Sequence, residues 1–324
     1  MKLCVLACAF AMVVPAFAQA DEWWRLMKAG VAAEEAGEYG RSVALYRKAI
    51  EVSDSFEADD ERRVYTWNAL AKTQDALGNY VDAEAGYRRA LRAAEHSEGK
   101  SSPAYALVLA NLATLYAETR QYARGERIAR EVLALVSGMK PPDELRLALA
   151  RSCLATIVDL AGKHDEAAGL TQLSLPVLER YPDVWTQTIG TLNTLGVALF
   201  AARQYAESER LFLRALTTAE LHGGSEHPLL MRILSNLAAI DLRDGRREEA
   251  GEKLRRALRI AETHLGVEHP MYGTLLASYA GYLRQIGQKS RARELEARSN
   301  QILKENGRRN GLGAVIDVTA LQRK

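Results

Sequence analysis

Between Arg203 and Pro270 one stretch of sequence is followed by a diverged copy of itself. RQYAESERLFLRALTTAELHGGSEHP is answered by GRREEAGEKLRRALRIAETHLGVEHP, so that Tyr205 matches Arg247, Ala215 and Leu216 match Ala257 and Leu258, and His227 and Pro228 match His269 and Pro270, each 42 residues on. A fixed period of this size excludes most compact folds. It belongs to arrays in which one small supersecondary unit, unable to bury its apolar face alone, is covered by the next copy. The core then grows in one dimension, and the work of the molecule falls to a long surface.

Taking Tyr39 as an anchor, equivalents stand at Tyr80, Tyr122, His164, Tyr205, Arg247 and Lys289, at intervals of 41, 42, 42, 41, 42 and 42, which makes seven units. Two residues before the anchors stand Gly37, Gly78, Arg120, Gly162, Arg203, Gly245 and Gly287. Glycine suits a tight turn between antiparallel helices because it takes positive φ without steric cost. Arg120 and Arg203 therefore predict a different local turn.

Ahead of each turn a leucine-like residue recurs ten positions back and a small one nine back, as in Leu70-Ala71, Leu112-Ala113, Leu154-Ala155 and Leu195-Gly196. A large residue recurs thirteen back, for example Leu26, Trp67, Leu109 and Leu192, with Arg151 the exception. These spacings describe one face of a helix. After the turn, small residues fall ten past the anchor (Ala49, Ala90, Ala215, Ala257) and bulky ones seven past it (Tyr46, Tyr87, Phe212, Leu254), so each unit reads as two helices packed large against small. Prolines stand almost only between units; Pro176, inside a second helix, predicts that unit four is kinked or shortened. The fold expected is all-α, a solenoid of about seven antiparallel helix pairs over residues 21–305.

The first twenty residues, MKLCVLACAFAMVVPAFAQA, carry one basic residue, an apolar run from Leu3 to Val14 and small residues before Ala18 or Ala20. They read as a cleavable secretory signal that places the chain in the periplasm or outside the cell. The alternatives are an uncleaved membrane anchor with Trp23 and Trp24 near the headgroups, and lipidation at Cys8. Removing the signal leaves Cys153 as the one cysteine, so no internal disulfide is expected. The formal charge falls from +2 to +1 with Lys2 gone, a balance that argues against nucleic acid as a ligand. After Glu305 the helical pattern is expected to stop at a cap on Asn306-Gly307, leaving residues 306–324 as a basic tail with a short extended segment at Ala314–Leu321. From Arg284 to Lys324 there are ten basic and four acidic residues, making this end the one candidate for membrane contact or an acidic protein.

Several constellations carry no chemistry at sequence level. His222, His227, His264 and His269 belong to a copied loop and not to a metal site, and Cys153 has His164 no nearer than eleven residues on. No phosphate loop, nucleophile elbow or zinc-binding helix pair is written in the chain. Glu84 with Arg88, Glu249 with Lys253 and Glu252 with Arg256 have the spacing of four that supports an exposed helix face.

Taken together, the leucine ten back, the small residue nine back, the G-x-Y turn, and the small residues three past the anchor (Ala83, Ala167, Ala250, Ala292) and ten past it resemble the tetratricopeptide repeat. The 42-residue period and the Leu265-Gly266-Val267-Glu268-His269-Pro270 ending are similar to its kinesin-light-chain variety. The resemblance implies a right-handed superhelix whose first helices line a concave groove, no enzyme activity, no cofactor and no small-molecule substrate, and a protein or peptide as partner. It implies groove positions at Asn68, Asn111, Asn193 and Asn236, where each amide offers a donor and an acceptor to an extended peptide backbone; the same amides could equally bond neighbouring helices. Asn111 and Asn236 sit eleven before the anchor and Asn68 and Asn193 twelve, a departure from one regular row. Repeats of this type that grip a C-terminal carboxylate use cations beside such asparagines. Here the matching positions are mostly Ala, Ser, Thr and Cys153, with Lys28, Lys72 and Arg232 scattered among them, so a neutral groove is expected, with Lys72 and Arg232 as its cations. Two functions follow as expectations: an exported scaffold that binds along the groove, or a structural subunit of an envelope assembly that works through its edges and tail.

Overall fold

The computed structural model describes residues 2–310, with side chains from Gln19 onward. The segment Ala314–Leu321 therefore lies outside the described residues. Among those described, fourteen α-helices and one short 3-10 turn (Pro182–Val184) account for the regular structure, and there is no strand. The helices form seven pairs: α1 (Lys2–Glu35) with α2 (Tyr39–Ser53), α3 (Glu61–Ala76) with α4 (Tyr80–Ser97), α5 (Pro103–Glu118) with α6 (Tyr122–Gly138), and α7 (Glu144–Leu160) with α8 (His164–Leu178). The series continues with α9 (Trp185–Ala201) and α10 (Tyr205–Gly223), α11 (Leu230–Arg243) and α12 (Arg247–His264), and α13 (Pro270–Gln285) and α14 (Lys289–Arg309). Every second helix begins on its anchor residue. The chain divides into two compact units, one made of Met1–Ala76 and Asp82–Val108, the other of Leu77–Val81 and Leu109–Lys324.

The turns are more uniform than the sequence predicts. Gly37, Gly78, Gly162, Gly245 and Gly287 have φ between 72 and 83°, and Arg120 and Arg203 take the same left-handed conformation at 61 and 62°. The hydrogen bonds are the same as well. Lys163 N–H reaches back to Val158 O at 2.8 Å, and Gln121 N–H to Tyr116 O at 2.7 Å. Both close the helix end with a six-to-one bond that satisfies an otherwise orphaned carbonyl. The expectation of a different turn at the two arginines is thus corrected: the closing bond is worth keeping against a left-handed penalty of roughly 1 kcal/mol for a side chain with a Cβ.

Burial follows the repeat. In the first unit Tyr46 and Tyr87 are inaccessible, beside Ala49, Ala71 and Ala90. In the second, Phe212 and Leu254 hold the same places beside Ala215 and Ala257. The fit is tight enough to exclude a methyl group. A Cβ on Gly30 would lie 2.3 Å from the Tyr46 ring, and one on Gly196 would lie 2.6 Å from the Phe212 ring. Those glycines sit nine before the anchor and the rings seven after it, so the large side chain of the second helix enters the gap left on the first. Pro176 falls in the last turn of α8, which ends at Leu178 after 15 residues, while α10 has 19.

Helix α14 runs to Arg309, with Asn310 as its cap, and so continues past the expected stop at Glu305. Ile302 and Leu303 are buried against Gly273 of α13, and Asn306 and Gly307 are buried too, which is why the helix extends through them. Its other faces carry Lys289, Arg291, Arg293 and Lys304, all exposed. Among the described residues no helix is long and apolar enough to cross a membrane.

Candidate functional site: the face of the first helices

The six residues expected in a groove fall in both units. Asn68 and Lys72 lie on α3 in the first, and Asn111, Asn193, Arg232 and Asn236 lie on α5, α9 and α11 in the second. In the first unit Lys72 is paired with Glu34 of α1 at 3.2 Å. In the second, Asn236 donates from Nδ2 to Asn193 Oδ1 at 2.8 Å, so two of the asparagines link neighbouring repeats. That bond uses one donor of Asn236 and one lone pair of Asn193, out of two donors and two lone pairs on each amide. Arg232 is paired with Glu118, the last residue of α5, at 3.1 Å and across 114 residues of chain.

Around these residues runs a set of contacts that no motif announces. Ser152 and Thr191 hydroxyls meet at 2.6 Å, Thr156 and Thr194 at 3.2 Å, and Ser235 donates to Ser278 at 3.4 Å. Thr114 and Cys153 stand 3.7 Å apart, and the Cys153 thiol donates to Ala110 O at 3.6 Å. Each contact joins one first helix to the next. The signal was present in the sequence as Ser, Thr and Cys where cations would form a carboxylate clamp, but small polar residues on a helix are usually read as space-fillers. Burial pushes the Cys153 thiol up to about 11, so at neutral pH it is protonated and a poor nucleophile.

The second helices are joined by charge. Lys163 binds Glu126 at 2.7 Å, Arg130 binds Glu166 at 2.7 Å, Arg246 binds Glu209 at 2.6 Å and Arg256 binds Glu220 at 2.7 Å. The Glu126 carboxyl is held below the usual carboxylate range by its bonds to Lys163 and then Arg130. Of the expected pairs along one helix, Glu84 with Arg88 forms at 2.6 Å. Lys253 and Arg256 instead reach other helices. Lys253 joins Arg246 on Asp241, at 2.6 and 2.7 Å, where the carboxylate is only 4% exposed. Sequence reasoning missed Asp241, because its partners lie beyond the turn on the following helix.

The histidines of the copied loop are occupied with structure. His227 Nδ1 accepts the Leu229 N–H at 3.2 Å in the turn before α11, and His269 Nδ1 accepts the Met271 N–H at 3.0 Å, capping α13. Trp185 stacks on His222 and meets the His227 ring edge-on, both with centroids 5.4 Å away. His227 is held below its ordinary value of 6.5, by burial first and then by His264.

Comparison with known proteins places this geometry. The tetratricopeptide repeat profile matches residues 187–263 and again 229–305, two overlapping spans offset by the 42-residue period. Protein KINESIN LIGHT CHAIN-RELATED 1 of Arabidopsis thaliana is 22% identical over 217 residues, 66% of this chain, which spans only 35% of the length of that relative. Among solved structures, a Rap protein complexed with competence and sporulation factor superposes with a TM-score of 0.69 at 13% identity, covering 89% of this chain and 76% of that one. BtubC (BKLC) from P. vanneervenii superposes with a TM-score of 0.51 at 20% identity, covering 75% and 93%. These likenesses speak for the fold alone, a helical repeat scaffold suited to protein–protein interaction. Residues 187–305 thus carry tetratricopeptide repeats, and the 42-residue register of the helix pairs together with these likenesses supports a tetratricopeptide-repeat protein of the kinesin-light-chain-like kind.

Proposed function

We propose that this protein is an exported, non-enzymatic scaffold that binds a protein or an extended peptide along the face of its first helices. The observation that carries the reading is the Asn236–Asn193 pair within a row of neutral hydroxyls and amides. Such groups can trade a bond to a neighbouring helix for one to a peptide backbone at little net cost, since both states are hydrogen-bonded. A Rap protein of similar fold was solved complexed with competence and sporulation factor, which favours a bound partner on a scaffold of this kind. Export rests on the Lys2, Leu3–Val14 and Ala16–Ala20 pattern, and the lack of enzyme activity on the family and on the protonated state of Cys153.

A peptide array probed with the full chain and with an Asn111→Ala, Asn236→Ala double variant tests the binding face. Loss of most bound signal in the variant, with unchanged helicity, is expected; an undiminished array would remove these amides from the site. For export, the N-terminus of the protein recovered from its own cell is expected at residue 19 or 21, and an intact Met1 would contradict cleavage.

A further inference from the structure

Stacked repeats lean on their neighbours, so contacts between distant repeats need their own account, and two stand out among the described residues of the second unit. The first joins the end of α14 to the Leu77–Val81 turn, which belongs to this unit. Gly78 O accepts from Asn306 Nδ2 at 3.2 Å and from Asn310 Nδ2 at 3.0 Å, while Asn310 Oδ1 accepts the Val81 N–H at 3.3 Å. Asn310 thus meets the Val81 N–H from 229 residues away in sequence. Asn306 and Asn310 are 5% and 8% exposed, and a Cβ on Gly78 would lie 3.1 Å from Pro270 Cδ, so the turn is seated closely. The second contact is Arg232 to Glu118, a bond between α11 and α5 that spans the intervening first helices α7 and α9.

We propose that these two contacts form a latch that holds the second unit closed over its first-helix face, and that a polypeptide binding there must displace it. The ligand half of this inference rests on the proposed function; the latch itself does not. Its links suit release. They are neutral hydrogen bonds and one ion pair whose side chains are 52% and 27% exposed, the class of charge contact that contributes least and is screened by salt. Cys153 sits on α7, between the helices that the ion pair joins, and its thiol, held protonated by burial, reports opening by a gain in alkylation rate.

The test uses the full chain with Cys4 and Cys8 replaced by serine, and two readouts: alkylation of Cys153 by N-ethylmaleimide and amide exchange at Val81. Arg232→Ala combined with Asn306→Ala and Asn310→Ala is expected to speed both by about tenfold or more, the scale set by losing one or two hydrogen bonds. Arg232→Lys should alkylate close to the parent rate, and added salt should speed the parent but not the Arg232→Ala variant. Unchanged rates would overturn the latch. So would a rise matched by equal exchange at Leu192 within α9, which would mean general loosening. None of these outcomes depends on peptide binding, so failure of the binding reading leaves the latch measurable, and the reverse.

Discussion

Along the first helices of the second unit, successive repeats are tied by neutral groups, Ser152 to Thr191, Thr156 to Thr194 and Asn236 to Asn193. Along the second helices the ties are ionic, Glu126 to Lys163, Glu166 to Arg130 and Glu209 to Arg246. The two sets recur at different spacings, 38 to 43 residues for the neutral bonds and 36 or 37 for the ionic ones. Both join a repeat to the next, but they differ in what they leave available. Charges on the second helices are committed to one another, whereas a hydroxyl or amide keeps spare bonding capacity. The division lets one side hold the stack while the other changes partners.

The comparison breaks most visibly at Asp241, a buried carboxylate on the first helix α11 that binds two cations at the start and in the body of the second helix α12. Asp241→Ala leaves Arg246 and Lys253 without their shared carboxylate, and unfolding in urea should show a loss of about 2–3 kcal/mol, the low end for breaking a buried pair because both cations keep some water. A neutral tie should be worth less. Thr191→Val removes the partner of Ser152 and is expected to cost about 1 kcal/mol in the same assay; a loss equal to that at Asp241 would erase the distinction between the sides. The turns offer a change of the opposite sign. Arg203→Gly relieves a left-handed residue at φ 62° and should stabilise by roughly 0.5–1 kcal/mol, unless the freer unfolded chain cancels the gain.

Acid gives the smallest effect. His227 has a depressed value in the folded state, through burial and then His264, so its neutral form is favoured there. Stability from this group is complete above its ordinary value of 6.5 and falls as pH drops below it, because the unfolded chain then binds the proton more readily. Protonation at Nδ1 would also end its acceptance of the Leu229 N–H. His227→Asn keeps an acceptor in the side chain and should flatten that part of a melting-temperature profile between pH 7 and 5; an unchanged slope would assign it elsewhere.

The helix pairs were legible in the sequence because they depend on local rules. All seven anchors, from Tyr39 to Lys289, mark the first residue of a second helix. The turns at Arg120 and Arg203 are not legible from residue type, because the closing bonds from Gln121 and Gln204 enforce one geometry whatever residue precedes them. The end of α14 was misread because Asn306-Gly307 is a good cap in isolation, and burial of Asn306 and Asn310 carries the helix past it. The site was legible in part. Small polar residues on the first helices could be seen, but not that Arg232 would find Glu118, since that depends on geometry accumulated over three repeats. The ties between second helices were hidden for the same reason: a spacing of 36 or 37 has no meaning until the helices are stacked.

The central claim is that the first-helix side, and not the charged side, meets the partner. A photoreactive residue placed at Asn193 in one chain and at exposed Leu221 on α10 in another, each irradiated in the protein's own cell, tests it directly. Crosslinks to a polypeptide from position 193 and few from position 221 are the predicted result. Crosslinks from 221 alone would contradict the account.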